Sequence, residues 1–447
     1  MKSSIIIPAL LFAFLSSMPD CRAEAIAHIA AGGFHSVAVK DDGLVWGWGS
    51  ASYGILGDQE REATVLVWPY RYCTTPVQIT GKEAEALIGI VQIEAGRHFT
   101  ILRKKDGTVW AWGSNDFGQL GDASEPGPEH FYLSARERST PGPVRGPGGE
   151  GFLTGIASIA AGYQHAAAVR KDGTIWAWGD NGAGQLGDGS VKAVSAPVQV
   201  LGPGGKGFLT DVIDIAAGAR HTLALCEDGT VWAWGSNSAG QLGDGTLRDS
   251  LTPVQVKGTG GQGVLAGVRA VAANVAYSAA LMADGTVRAW GNNAFGQIGD
   301  GSRKDSAVPV LVKGVGGDGA LEGITAIAAG RYYAAALDKN GNVLAWGFNE
   351  GGLLGNGELE GSLTPAPVSE PEGADNLTGV TSIAAGSRHM LALKADGTLW
   401  AWGSNGAGQL GDGGANSGLT PFQVPEFPVS SDAAHGARAS LVTGDET

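Results

Sequence analysis

The tripeptide Ala/Gly-Trp-Gly recurs seven times, and its spacing dictates what this chain can become. The tryptophans are Trp48, Trp112, Trp178, Trp234, Trp290, Trp346 and Trp402. From Trp178 onward each step is 56 residues, and the two earlier steps are 64 and 66. A fixed period of this length marks a unit that buries its apolar faces against its own copies. The fourth copy contains Thr222-Leu223-Ala224-Leu225 and Thr230-Val231-Trp232-Ala233-Trp234. Side chains alternate there with a period of two, which predicts half-buried strands. Asp228-Gly229 between them predicts a hairpin of type I′, with positive φ at both central residues. The dipeptide returns in every copy, once as Asn340-Gly341. The 74 glycines far exceed the usual 7% or so, but they recur at fixed offsets and therefore read as turn residues rather than low complexity.

Each copy supplies four strands: an Ala-rich one (Asp214 to Ala217), the hairpin pair, and Thr252 to Val256. Four-stranded antiparallel sheets repeated radially predict an all-β, seven-bladed β-propeller over residues 26–424. Alanine suits the crowded axis, and proline in the last strand suits an outer edge. The Gly-x-x-His turn and the long Trp-Gly-Ser-Asn-x-x-Gly-Gln-Leu-Gly-Asp loop then share one face. The Asp-Gly hairpins and Gly-rich crossovers share the other.

At the start, Lys2 precedes an apolar run from Ile5 to Leu15, and Ala23 and Ala25 supply the small residues expected before cleavage after Ala25. Residues 1–25 are expected to be a signal peptide, giving a secreted or periplasmic product. The run is too short to span a bilayer. Residues 425–447 read as a loose polar tail. Cys73 and Cys226 fall in separate repeats and are expected to be unpaired. The net charge of −14 argues against nucleic acid as a partner.

The signature Ala-Ala-Gly-x-x-His-Thr-x-Ala-Leu, then Asp-Gly-Thr-Val-Trp-Ala-Trp-Gly, then Asn-x-x-Gly-Gln-Leu-Gly-Asp-Gly, resembles the regulator-of-chromosome-condensation repeat family. The resemblance covers about Ile26 to Val424 and implies the same seven-bladed fold. Members of that family include a nuclear guanine-nucleotide exchange factor, a plant ultraviolet-B photoreceptor and secreted bacterial β-lactamase-inhibitor proteins. They share a binding surface more than a chemistry. The leader argues against a nuclear GTPase as partner. The photoreceptor's light-sensing tryptophans include ones directly after the turn glycine. Here those positions hold Gly33, Arg97, Tyr163, Ala219, Val275, Arg331 and Ser387, so light sensing is not expected.

Two repeated slots invite metal readings. One holds His35, Phe99, His165, His221, Tyr277, Tyr333 and His389, and its free exchange with Phe and Tyr points to a packed flat ring. The other holds Asp58, Asp122, Asp188, Asp244, Asp300, Asn356 and Asp412. One carboxylate per loop is short of the several oxygens that calcium takes, so the Asp reads as a turn cap. No metal or cofactor is expected. The chain has no Gly-x-Ser-x-Gly, His-Glu-x-x-His or Walker loop, and no catalytic residues are assigned.

The informative departures are two insertions. In repeats 3 to 7 the acidic slot lies nine residues before a proline, as in Asp244 to Pro253. The distance is 18 in repeat 1 (Asp58 to Pro76) and 19 in repeat 2 (Asp122 to Pro141). The first insertion carries Trp68, Tyr70, Arg71 and Tyr72, and the second His130, Phe131, Tyr132, Arg136 and Arg138. Aromatics and arginine dominate protein-binding hot spots. The turns on the same face add Phe34, Arg97, Tyr163, Arg220, Arg331, Tyr332 and Arg388. The expectation is a monomeric, non-catalytic exported module that binds a protein, or a glycan, through this face. The alternatives are a polysaccharide hydrolase or lyase with residues near the axis, and an envelope scaffold without a discrete ligand.

Overall fold

In the computed structural model, residues 25–57, 65–67, 70–80, 87–125, 136–371, 375–425 and 427 are described. The leader, Trp68, the sequence from His130 to Tyr132, Asp58 and the tail past 427 lie outside these residues. Seven antiparallel sheets form a propeller, as the repeat predicts. Blade 4 shows the plan: Val212–Ala217 lies innermost, followed by His221–Cys226, Val231–Gly235 and Ser250–Gln255. Each strand pairs antiparallel with the next.

The hairpin differs from the expected type I′ turn. Gly229 takes φ +76, but Asp228 is absent from the residues with positive φ. Gly229 N donates to Cys226 O, and Asp228 accepts the N–H and hydroxyl of Thr230. This is a type I turn closed by a left-handed glycine, the usual form of a longer hairpin loop. The aspartate serves as an acceptor for Thr230, and glycine alone carries the unusual backbone.

Blade 1 also departs from four strands. Its outer strand, Tyr70–Ile79, is ten residues long and pairs with an additional strand, Val65–Val67. The first insertion therefore widens the sheet. Among the described residues no strand is shared at the ring closure: blade 7 is built from Val380–Gln423, and it packs side by side with blade 1. Phe427 bridges this seam, its ring centroid 5.4 Å from Trp46 and 6.0 Å from Trp48.

The seven anchor tryptophans are fully buried between blades. Six donate Nε1–H to a carbonyl of the preceding blade, as in Trp234 to Gln185 (2.9 Å) and Trp112 to Ile55 (2.7 Å). Trp48, at the closing seam, has no partner for its Nε1–H among the described residues.

The histidine slot forms a second belt. Nε2 of His35, His165, His221 and His389 meets a hydroxyl of the next blade: Thr100, Thr222, Ser278 and Ser36, at 2.8–3.1 Å. Where the slot holds Phe99, Tyr277 or Tyr333, the facing residue is Ala166, Ala334 or Met390 instead. The two tyrosines reach backbone carbonyls of the next blade. Histidine thus occurs only opposite a hydroxyl, which assigns the slot to the seam. Burial pushes the four histidines down to a pKa of about 3. The rings stay neutral while the unfolded chain titrates near 6.5, so stability is lost as pH falls from 6.5 toward 3.

Two outcomes are expected. His165→Phe should cost about 0.5–1.5 kcal/mol. Combining it with Thr222→Ala, the pairing used at Phe99 and Ala166, should cost less than the sum of the single changes in a denaturant double-mutant cycle. At the closing seam, Phe427→Ala should lower the melting temperature, while the equally aromatic but exposed Phe152→Ala should leave it nearly unchanged.

Candidate interaction face and axial channel

The Gly-x-x-His turns form the rim of the axial opening because in six of the seven the ring beneath the turn leaves no room for a side chain, Asn274 taking the glycine's place in blade 5. A Cβ at Gly218 would lie 2.2 Å from Cε1 of His221. The chain after each glycine is consequently pushed toward the axis. Backbone N–H groups of Gly33, Tyr163 and Ser387 donate to Gly96, Gly218 and Gly32 of adjoining blades, locking the rim.

The rim side chains fall into three groups. Phe34 stacks on His98 (5.9 Å), which also meets Tyr53 (4.8 Å). Arg97 lies over Tyr163, with its Cζ 5.7 Å from the ring centroid. Arg331 lies over Tyr332 (4.9 Å), which packs with Phe295 and Phe348. Ser387, Arg331 and Arg97 all act on the Tyr163 phenol in the direction that favours its ionised form. Burial nonetheless raises the Tyr163 pKa. Arg388 is exposed, and Arg220 is exposed with Nε 4.0 Å from Asp180.

Of the insertion residues, Arg71 and Arg136 are exposed and Tyr72 is half-buried. Tyr70 is placed as the first residue of the outer strand. Arg136 donates to the Glu125 carbonyl. Arg138 is engaged inside blade 2: its Nη2 donates to Ala111 O (2.7 Å) and Gly142 O (2.9 Å), and Asp122 lies 3.9 Å from Nη1. Asp122 itself accepts from Asn115 and Ser124, and the same Asn-to-Asp clasp recurs at Asp188, Asp244, Asp300 and Asp412. The acidic slot ties its own loop together.

Beneath the rim, the seven inner strands enclose an axial cavity of about 380 Å³. Its lining is rich in alanine, glycine and isoleucine, and Glu94 and Asp214 are the carboxylates that enter it among the described residues, with Gln92 beside Glu94. Glu94 stands where the other six repeats have Ala30, Ala160, Ala216, Ala272, Ala328 and Ala384. The Ala-rich inner strand expected from the repeat is therefore interrupted in blade 2 by a carboxylate. Gln92 holds Glu94 through its amide (3.3 Å), and Ser158 donates to Asp214 (3.0 Å). Glu94 keeps some accessible surface because the channel itself is open to solvent. Burial still pushes its carboxyl up to about 7, with Asp214 adding to the rise. Burial also raises Asp214. Among the described residues no group of three or more His, Cys, Asp or Glu is placed to hold a metal.

These features can be set against known proteins. The model of the RCC1-like domain matches residues 13–313 and 202–446, which together cover nearly the whole chain. The chain belongs to the RCC1-like domain family. Among RCC1-like relatives, the ultraviolet-B receptor UVR8 of Arabidopsis thaliana is 29% identical over 386 residues, 86% of this chain and 78% of the receptor. The human E3 ubiquitin-protein ligase HERC2 is 28% identical over 390 residues, 87% of this chain but 7% of the ligase. The solved structure of human WBSCR16 has a TM-score of 0.66 at 25% identity, covering 90% of this chain and 94% of its own. Yeast RCC1 (Prp20), solved with Kap60 bound, has a TM-score of 0.66 at 20% identity, with 94% and 91% covered.

A folded-state carboxyl at about 7 against an ordinary 4.5 means that the folded chain holds a proton the unfolded chain has released. Stability is therefore lost as pH rises from 4.5 to 7. Glu94→Ala, which restores the alanine of the other repeats, should melt increasingly above wild type across that interval and level off beyond it. A melting-temperature difference independent of pH would remove Glu94 as its source.

Proposed function

We propose that this RCC1-like propeller is a non-catalytic, exported module that binds a protein partner through the face carrying both insertions. The observation that carries this reading is the asymmetry of the ring. Five blades keep the nine-residue spacing, while adjacent blades 1 and 2 double it on one face. That face also bears the aromatic and arginine rim, with exposed Arg71, Arg97, Arg136, Arg220 and Arg388 on a chain of net charge −14. Solved RCC1-like propellers support a protein partner: yeast RCC1 was crystallised with Kap60, and Prp20p is described with binding properties to Gsp1p and histones. A rigid closed ring lowers the ordering cost of binding, because its loops are already held. Export rests on the leader alone, and a glycan remains a second class of ligand for the same face.

A polysaccharide hydrolase or lyase draws support from Glu94 and Asp214, the only carboxylates lining the axial cavity among the described residues. Their cavity lies at the small end of ligand sites, which favours the binding reading over cleavage of a polymer.

The test is a comparison of wild type with a variant whose insertions are cut to the nine-residue spacing. Wild type should retain a partner from envelope and culture-medium extracts that the trimmed ring loses, and Trp68→Ala and Tyr132→Ala should each weaken capture by tenfold or more without altering the melting temperature. Equal capture by all four proteins would move the site off this face.

A further inference from the structure

The opposite face carries an interruption of its own. Five blades place a tryptophan two residues before the anchor: Trp46, Trp110, Trp176, Trp232 and Trp400. In three of them the end of the second strand lays a cation on the indole. Lys104 Nζ is 5.4 Å from the Trp110 ring, Arg170 Cζ 5.0 Å from Trp176, and Lys394 Nζ 4.6 Å from Trp400. Trp46 is covered by Phe427. In blade 4 the corresponding strand end is Cys226, and no cation or ring covers Trp232 among the described residues.

A second cation is missing from the same place. The crossover entering blade 3 pairs Arg145 with Phe152, and the guanidinium lies 5.4 Å from that ring. The crossover entering blade 4 pairs Leu201 with Phe208, which is left 52% exposed. Two aromatic surfaces that carry cations in neighbouring blades are thus bare together in blade 4. They line one groove of about 610 Å³, walled by Pro203, Phe208 and Trp232 and edged by Asp211, Glu227 and Asp228.

The charges of the groove are also unbalanced. None of these three acids forms an ion pair among the described residues. Asp211 stands where five repeats have Gly89, Gly155, Gly267, Gly323 and Gly379, and it adopts their left-handed backbone at φ +61. Burial, with Asp228 and Asp211 adding to it, pushes the Cys226 thiol up to about 11, so it adds no charge at neutral pH. Three departures from the repeat therefore meet here: two remove a cation and one adds a carboxylate.

We propose that the groove on blade 4 binds an organic cation, an alkylammonium or guanidinium, from outside the chain. Indole and phenyl faces attract such ions through the ring quadrupole, and desolvation strengthens the attraction. The flanking carboxylates supply the countercharge. The geometry to be filled is the one the chain fills for itself at Trp110, Trp176 and Trp400. This site is separate from the insertion face, so trimming the insertions leaves it intact.

The test is titration of the full chain with butylguanidinium chloride, followed by the indole ¹H–¹⁵N signals, with Trp232 assigned from Trp232→Phe. The Trp232 signal should move saturably, beyond the movement caused by equal sodium chloride, while Trp110, Trp176 and Trp400 stay in place. Cys226→Lys, which restores the resident cation, should weaken binding at least tenfold while the melting temperature holds or rises. A shift matched by sodium chloride, or undiminished binding in a folded Cys226→Lys protein, would overturn the site. A capped Gly-Arg-Gly peptide separates the two sources of the ion: tighter binding than butylguanidinium assigns a partner's side chain, and equal binding a free cation.

Discussion

A four-stranded blade of this sequence is apolar on both faces, so no blade is stable alone and the seam between blades decides the fold. The anchor tryptophan fills that seam, and its N–H reaches a carbonyl of the preceding blade. The ring nitrogen of the histidine slot meets a hydroxyl of the following blade nearer the axis. Both contacts are directional, so they set the angle between blades as well as joining them. The rim turns and the enclosed axial channel follow from that spacing. So does the exposure of the crossovers on the far face.

The propeller was legible in the sequence because each strand and turn is written seven times, and repetition separates pattern from accident. The hairpin geometry was less so: Asp-Gly is compatible with two turn types, and the choice depends on whether the aspartate side chain bonds Thr230, which spacing alone does not reveal. The fifth strand of blade 1 escaped because the Val65–Val67 segment has no counterpart in the other repeats. Glu94 and the His-to-hydroxyl pairing were visible in principle. Both require comparing one column, or two columns of adjacent repeats, instead of reading each repeat for its average. Of the rim, Arg97, Tyr163 and Arg331 do converge, because the turn glycines force their backbones toward the axis. Arg138 is turned inward onto Ala111 and Gly142, a destination fixed by the local path of its own strand.

The two faces have different electrostatic characters. The rim gathers arginines and aromatic rings, while the blade 4 groove exposes aromatic rings among carboxylates. Each differs from the repeat average through a few substitutions on an otherwise uniform frame. A frame held by backbone and buried rings tolerates such changes because the seam residues and the surface residues are different positions of the same repeat. Fold and recognition are thereby encoded in separate columns of one sequence.

Among the described residues the closure between blades 1 and 7 involves no exchanged strand, so every blade is complete within one continuous stretch of chain. The ends of the propeller, near Ile26 and Phe427, consequently meet at a side-by-side junction like the other six, save that Phe427 packs there and the Trp48 N–H lacks a carbonyl partner among the described residues. The order of the blades around the ring is then independent of where the polypeptide is cut. Joining those ends and opening any Gly-rich crossover would yield the same seven sheets in a permuted chain. The 56-residue step is, in this sense, a unit of assembly as well as of sequence.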